Sequence, residues 1–205
     1  PTGYALIAYG GQDDARFGTS VAGAGDVNGD GHPDVVVSAP GYLRPSDERL
    51  VGAAFAFCGN GAGLASDPCW VAYGGQLGGG FGASAGAAGD VNNDSYDDVI
   101  VGAPTYLPDP DTGLEGAVFL YFGSDTGLSR LAGWKAGGNR ARTDFGWAVG
   151  STGDLDGDGS DGVIIGAPQQ FVLGTAYGAA FVFYGPLEPA EVNRTFLPLV
   201  MRNAN

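Results

Sequence analysis

The chain has 205 residues, 39 of them glycine and 12 proline, beside 44% apolar residues; because the glycines recur at fixed places, this describes a packed, turn-rich β protein and not low complexity. A net charge of −14, with Lys135 the one lysine, excludes the phosphate backbone of nucleic acid as a partner. No apolar run is long enough to span a membrane as a helix, and the start at Pro1, without methionine or a charged-then-apolar leader, predicts a processed product or a fragment.

A long internal repeat organises the sequence. Phe17 to Pro40, FGTSVAGAGDVNGDGHPDVVVSAP, returns as Phe81 to Pro104 and again as Phe145 to Pro168. A fixed period of this length marks an array of similar units. Residues 1–185 therefore read as three units with an N-terminal strand over 4–11, and 186–205 as a tail with a strand-like segment at 195–200.

In each unit the first predicted strand, A, is the small-residue run 17–25 (81–89, 145–153), suited to a crowded centre. An acidic loop follows. Strand B is then a continuous apolar run, Val35–Val37, Val99–Val101 and Val163–Ile165, the pattern of a strand covered on both faces. Pro40, Pro104 and Pro168 stop it. Strand C is GAAFAFCG at 52–59, GAVFLYFG at 116–123 and GAAFVFYG at 178–185. Strand D is CWVAYGG at 69–75 and the weaker GWKAGG at 133–138. Four short strands per unit, with B and C lacking a solvent face, predict an all-β fold: a β-propeller-type array of three four-stranded blades. A sandwich would instead alternate apolar and polar residues along its strands.

Two B–C loops are long and polar, and Tyr42, Arg44 and Arg49 in the first, with Tyr106 and Asp109 in the second, are candidates for contacting a ligand. The D–A connections also differ among units, and binding or mere drift explains such variation equally well. Cys58 and Cys69 flank a glycine-rich loop and meet if its flanks pair as a hairpin, which would fit an oxidising compartment; two unrelated small apolar residues is the alternative.

The acidic loop carries the chemistry. In the first unit Asp26, Asn28 and Asp30 alternate, Gly31 permits a sharp turn, His32 offers a main-chain carbonyl and Asp34 closes the set. Oxygen donors at the first, third, fifth, seventh and ninth places suit Ca²⁺, which takes about six to eight oxygen ligands. The second loop repeats this with Asp90, Asn92, Asp94, Tyr96 (carbonyl) and Asp98, although Ser95 stands where glycine is expected. The third has Asp154, Asp156, Asp158 and Ser160 (carbonyl), but Gly162 at the ninth place has no side chain. Two strong sites and a weaker third are expected. An apolar strand follows each loop, so the helical context of an EF-hand is missing.

Phe-Gly, the D-x-[ND]-x-D loop and then Gly-Ala-Pro (Ser38-Ala39-Pro40 in the first copy) resemble the FG-GAP repeat of integrin α-subunit propellers and of bacterial secreted proteins. The resemblance covers roughly residues 4–185. It implies a propeller with calcium in the A–B hairpins, opposite the usual ligand-binding face, an adhesion-type function, and a secreted or cell-surface location. The integrin ring has seven blades, and this chain encodes three.

Nothing in the residues argues for catalysis. Gly82-Ala83-Ser84-Ala85-Gly86 lies in strand A and aligns with repeat-packing residues, and His32, the single histidine, sits inside an acidic loop. FG-GAP repeats accompany a catalytic domain in phospholipase D of the glycosylphosphatidylinositol-specific type, and that domain is absent from these residues. A binding module for a protein or glycan and a structural subunit are the two functions to separate. Four candidate D strands compete for three units, since ALIAYGGQ at 5–12 matches CWVAYGGQ at 69–76 and TFLPLV at 195–200 also fits. This predicts a homo-oligomer, a dimeric ring or a filament, completed by strand exchange between chains. A fragment of a longer propeller is the alternative.

Overall fold

The computed structural model describes residues 7–107, 113–138, 140–172 and 175–188. It is all β, without a helix among the described residues. β1 (Val21–Gly25) pairs antiparallel with β2 (Asp34–Ala39) across the first acidic loop. A short ribbon, β3 (Leu43–Arg44) and β4 (Arg49–Leu50), leads to β5 (Ala53–Phe57). A second ribbon, β6 (Gly59–Asn60) and β7 (Gly63–Leu64), leads to β8 (Trp70–Tyr73), completing a sheet ordered β1-β2-β5-β8. The second sheet repeats the order with β9 (Ser84–Gly89), β10 (Asp98–Ala103), β11 (Ala117–Tyr121) and β12 (Trp134–Gly137). The third has β13 (Ala148–Gly153) and β14 (Gly162–Ala167), a ribbon of β15 (Phe171–Val172) and β16 (Thr175–Ala176), and β17 (Ala179–Phe183), in the order β13-β14-β17.

Small residues let β1, β9 and β13 lie side by side. The Ser20 hydroxyl donates to the Ala85 carbonyl at 3.0 Å, and the Ser84 hydroxyl to the Gly146 carbonyl at 2.8 Å. A β-carbon at Gly102 would overlap the Gly146 carbonyl and the Ser84 hydroxyl, so glycine is required by close approach. Two apolar layers fill the gaps between sheets. The first joins Val36, Ala54, Ala56 and Trp70 to Phe81, Val99, Val101 and Tyr121; the second joins Ile100, Val118, Leu120 and Trp134 to Phe145, Val163 and Ile165. All six residues of β10 are buried because a sheet covers each of its faces, which explains its unbroken apolar run.

The small-residue strands begin later than expected, at Val21, Ser84 and Ala148, because the Phe-Gly dipeptides before them lie in turns: the Thr19, Ala83 and Trp147 amides donate to the Arg16, Gly80 and Asp144 carbonyls. The N-terminal run behaves differently from a strand over its described part, residues 7–10. Ala8 packs on the first sheet's outer cluster, and Gly10 lies against the Phe17 side chain. Residues 1–6 and the expected strand at 195–200 lie outside the described residues. Cys58 and Cys69 form a disulfide across the hairpin between β5 and β8, with Cα atoms 5.8 Å apart.

Candidate metal centres and the loops opposite

The three acidic loops fold alike because the first carboxylate of each takes up the loop's own amides. Asp26 accepts from Gly29, Asp30 and Gly31; Asp90 from Asp94 and Ser95; Asp154 from Gly157, Asp158 and Gly159. The fifth residue then accepts from the seventh: His32 donates to Asp30, Tyr96 to Asp94 and Ser160 to Asp158, at 2.8–3.0 Å. These turns draw the first, third and fifth side chains together. Among the described residues no hydrogen bond engages the carbonyls of His32, Tyr96 and Ser160, which leaves those oxygens for another partner.

Two features fit a hard cation. In the third loop a carboxylate oxygen from each of Asp154, Asp156 and Asp158 lies within 4.8 Å of the others, three like charges gathered on the surface. In the second, the Asn92 side-chain oxygen is buried without a hydrogen-bond partner among the described residues, a costly arrangement that a bound cation would resolve. The first loop is more self-satisfied, with the Asn28 oxygen accepting from the Asp30 amide at 2.9 Å.

Asp34 and Asp98 have a role beyond the loop. Asp34 is buried and accepts from the Val27 amide at 3.0 Å and from the Gly59 amide at 2.7 Å. Asp98 repeats this with Val91 at 3.0 Å and Gly123 at 2.8 Å. Each carboxylate ties its loop to the end of the third strand of its own sheet. Burial pushes the Asp98 carboxyl up to about 7; the Gly123 and Val91 amides oppose that rise, and the charges of Asp94 and Asp90 add to it. Gly162 in the third loop makes no such tie. Asp161, one place earlier, instead reaches the main chain of Asp90 in the preceding loop.

Gly31 and Gly159 take the turn at φ of 83° and 93°, and Ser95 must take it at 72°. A side chain in this left-handed region costs roughly 1–2 kcal/mol. Ser95→Gly is therefore expected to stabilise the protein by about 1 kcal/mol, less the added freedom of glycine in the unfolded chain, as read by urea unfolding.

At the other end of the strands, three of the residues expected to meet a ligand also contact their own chain. The Tyr42 ring stacks edge-on against Phe55 at 5.2 Å, and Tyr106 against Phe119 at 5.3 Å beneath the Lys135 ammonium. Arg44 pairs with Asp47, Arg49 is exposed on β4, and Asp109 lies outside the described residues. The D–A connections share one backbone despite their different residues: Asp14 and Arg16, Gly78 and Gly80, and Arg142 and Asp144 all take φ between 53° and 70°. Trp147, 59% exposed where Thr19 and Ala83 stand in the other copies, lines a cleft of about 470 Å³ with Arg16 and Thr105. Its one signal in the sequence is the odd residue at that aligned place.

Comparison with known proteins agrees with this architecture. The FG-GAP repeat family matches residues 17–49 and 81–121. The chain is 35% identical over 178 residues to phosphatidylinositol-glycan-specific phospholipase D of Rattus norvegicus, covering 83% of this chain and 20% of that protein. It is 36% identical over 168 residues to integrin alpha-PS5 of Drosophila melanogaster (79% and 16%), and 35% identical over 164 residues to integrin alpha-IIb of Mus musculus (78% and 15%). The chain thus spans a fifth or less of the length of these relatives. The first two of the three repeated units are thus FG-GAP repeats, and the chain as a whole is similar to the integrin-like proteins that carry them.

Proposed function

We propose that the chain is a calcium-stabilised, extracellular β-propeller module of adhesion type, a binder and not a catalyst, whose three sheets are blades. The observation that carries this reading is the acidic loop built three times to one hydrogen-bonding plan, with the three carboxylates of the third loop converging. Calcium would be held by those side chains and by the carbonyls of His32, Tyr96 and Ser160, with Asp34 and Asp98 offering the remaining lone pairs of carboxylates already anchored on amides. The disulfide supports an oxidising, extracellular setting. The module's partner would be a protein or glycan, met at the end of the strands opposite the acidic loops.

Calorimetric titration with Ca²⁺ tests the reading. Affinities of about 10⁻⁴–10⁻³ M are expected, in the range of extracellular modules. Asp30→Ala and Asp94→Ala should each remove a site and lower calcium-dependent stability more than Asp158→Ala, because the third loop has no carboxylate at Gly162 to brace or complete it. No heat of binding at millimolar calcium would refute the reading, and a third site as tight as the first two would refute the ranking.

A second reading, self-assembly by exchange of terminal strands, is favoured by the strand count: the first two sheets have four strands and the third has three described ones. Deleting residues 1–10 or 194–205 should then change the particle mass seen by light scattering. A full-length chain that stays monomeric at all concentrations would exclude it.

A further inference from the structure

The two junctions between sheets follow one plan, and the third sheet presents half of it unfilled. At the acidic end of each junction the eighth residue of the downstream loop reaches upstream. The Asp97 carboxylate accepts from the Asp26 amide at 2.8 Å, and the Asp97 amide donates to the Asp26 carbonyl at 3.2 Å. Asp161 does the same at Asp90, its amide donating at 2.8 Å and its carboxylate accepting. The two carboxylates lie over Gly25 and Gly89, where a β-carbon would overlap them. Beside these contacts Val27 and Val91 are 1% and 0% exposed, and Val36 and Ile100 are both 0%. At the far end the carbonyls of Phe81 and Phe145 press on Gly52 and Gly116.

On the third sheet the matching groups are bare. Among the described residues nothing lies within 4 Å of a β-carbon built at Gly153, and no carboxylate reaches the Asp154 amide. Leu155, in the place of Val27 and Val91, is 57% exposed, and Ile164, in the place of Val36 and Ile100, is 39% exposed. At Gly178, in the place of Gly52 and Gly116, the three described atoms nearest a β-carbon all belong to Pro168 of its own unit. The face combines an apolar wall with a main-chain socket shaped for a carboxylate.

A second copy of this chain would bring Phe17 to Gly178, but it would bring Pro33 to the socket. Proline supplies neither a carboxylate nor an amide hydrogen. We propose that the open face of the third sheet is a docking surface for another FG-GAP repeat with aspartate at the eighth place of its acidic loop, and that Pro33 keeps a second copy of this chain from seating there. This goes beyond the binder reading and opposes a ring or filament of identical chains.

The test uses the full chain as its own probe. Sedimentation velocity in calcium should show wild type failing to associate through this face. Pro33→Asp, which gives the first loop its carboxylate and amide, should self-associate head to tail, roughly ten- to a hundred-fold more tightly, as expected for one charge-assisted and one neutral hydrogen bond. Adding Leu155→Glu to that variant should abolish the association. Pro33→Asn, with an amide hydrogen and an uncharged acceptor, should give a weaker gain and guards against a folding defect in the aspartate variant. Wild type associating as tightly as Pro33→Asp, and losing it with Leu155→Glu, would make a second copy the natural occupant and overturn the proposal. So would folded Pro33→Asp and Pro33→Asn variants that both remain monomeric. Association that ignores Leu155→Glu but vanishes on terminal deletion would be strand exchange, and would also overturn it.

Discussion

Replacing Phe145 with alanine is expected to lower the free energy of unfolding by about 3–5 kcal/mol, the usual cost of emptying a buried aromatic site. The ring is 1% exposed and stacks edge-on against Phe181 at 5.2 Å, in the layer between the second and third sheets. Its own main chain is locked onto Gly116, so the neighbouring backbone cannot easily collapse into the space. For a chain of this size the melting temperature should fall by on the order of 10 °C. Phe17→Ala should cost less, because Phe17 is half-buried at the outer side of the first sheet with no preceding unit among the described residues. Equal losses for the two variants would mean that burial between sheets is not what the phenylalanine supplies.

Asp98→Ala is expected to cost about 4 kcal/mol, measured by urea unfolding in the presence of chelator. Its carboxylate satisfies the Val91 and Gly123 amides in a buried position, and each amide left without a partner costs roughly 1–3 kcal/mol. Performing the measurement without calcium separates this bracing from any role as a ligand. If the variant loses stability only when calcium is present, Asp98 serves the cation and not the amides. Asp98→Asn should recover part of the loss, since its carbonyl oxygen can accept from one of the two amides.

The period, the order of strands and the positions of the acidic loops were legible because local chemistry writes them. Apolar runs mark strands covered twice, as in β10, and Asp/Asn/Gly alternation marks a loop whose own amides need acceptors. The contacts that cross long distances were not legible. Asp98 meets Gly123, 25 residues on, and Asp97 meets Asp26, 71 residues back; neither partner carries a side chain that announces the pairing. The spacing rule for calcium placed Asp34 and Asp98 in the ligand shell, whereas burial gives them an anchoring role as well. Tyr42 and Tyr106 are ligand candidates because they stand in polar loops. What the sequence does not show is that their half-buried rings also cover Phe55 and Phe119, since an aromatic side chain next to an open apolar strand gains by partial burial. Trp147 shows the converse, an exposed ring just ahead of a small-residue strand that repeat packing alone would not explain.

That calcium holds these loops is tested most directly by melting the protein with calcium in excess and again with chelator. Binding restricted to the folded state adds RT ln(1 + [L]/Kd) for each site, so at about ten times Kd two sites contribute roughly 3 kcal/mol. The account predicts a melting temperature lower by several degrees in chelator, restored by added Ca²⁺, and a smaller difference for Asp30→Ala or Asp94→Ala than for wild type. A melting temperature unchanged by chelation, with all three loops intact, would contradict it.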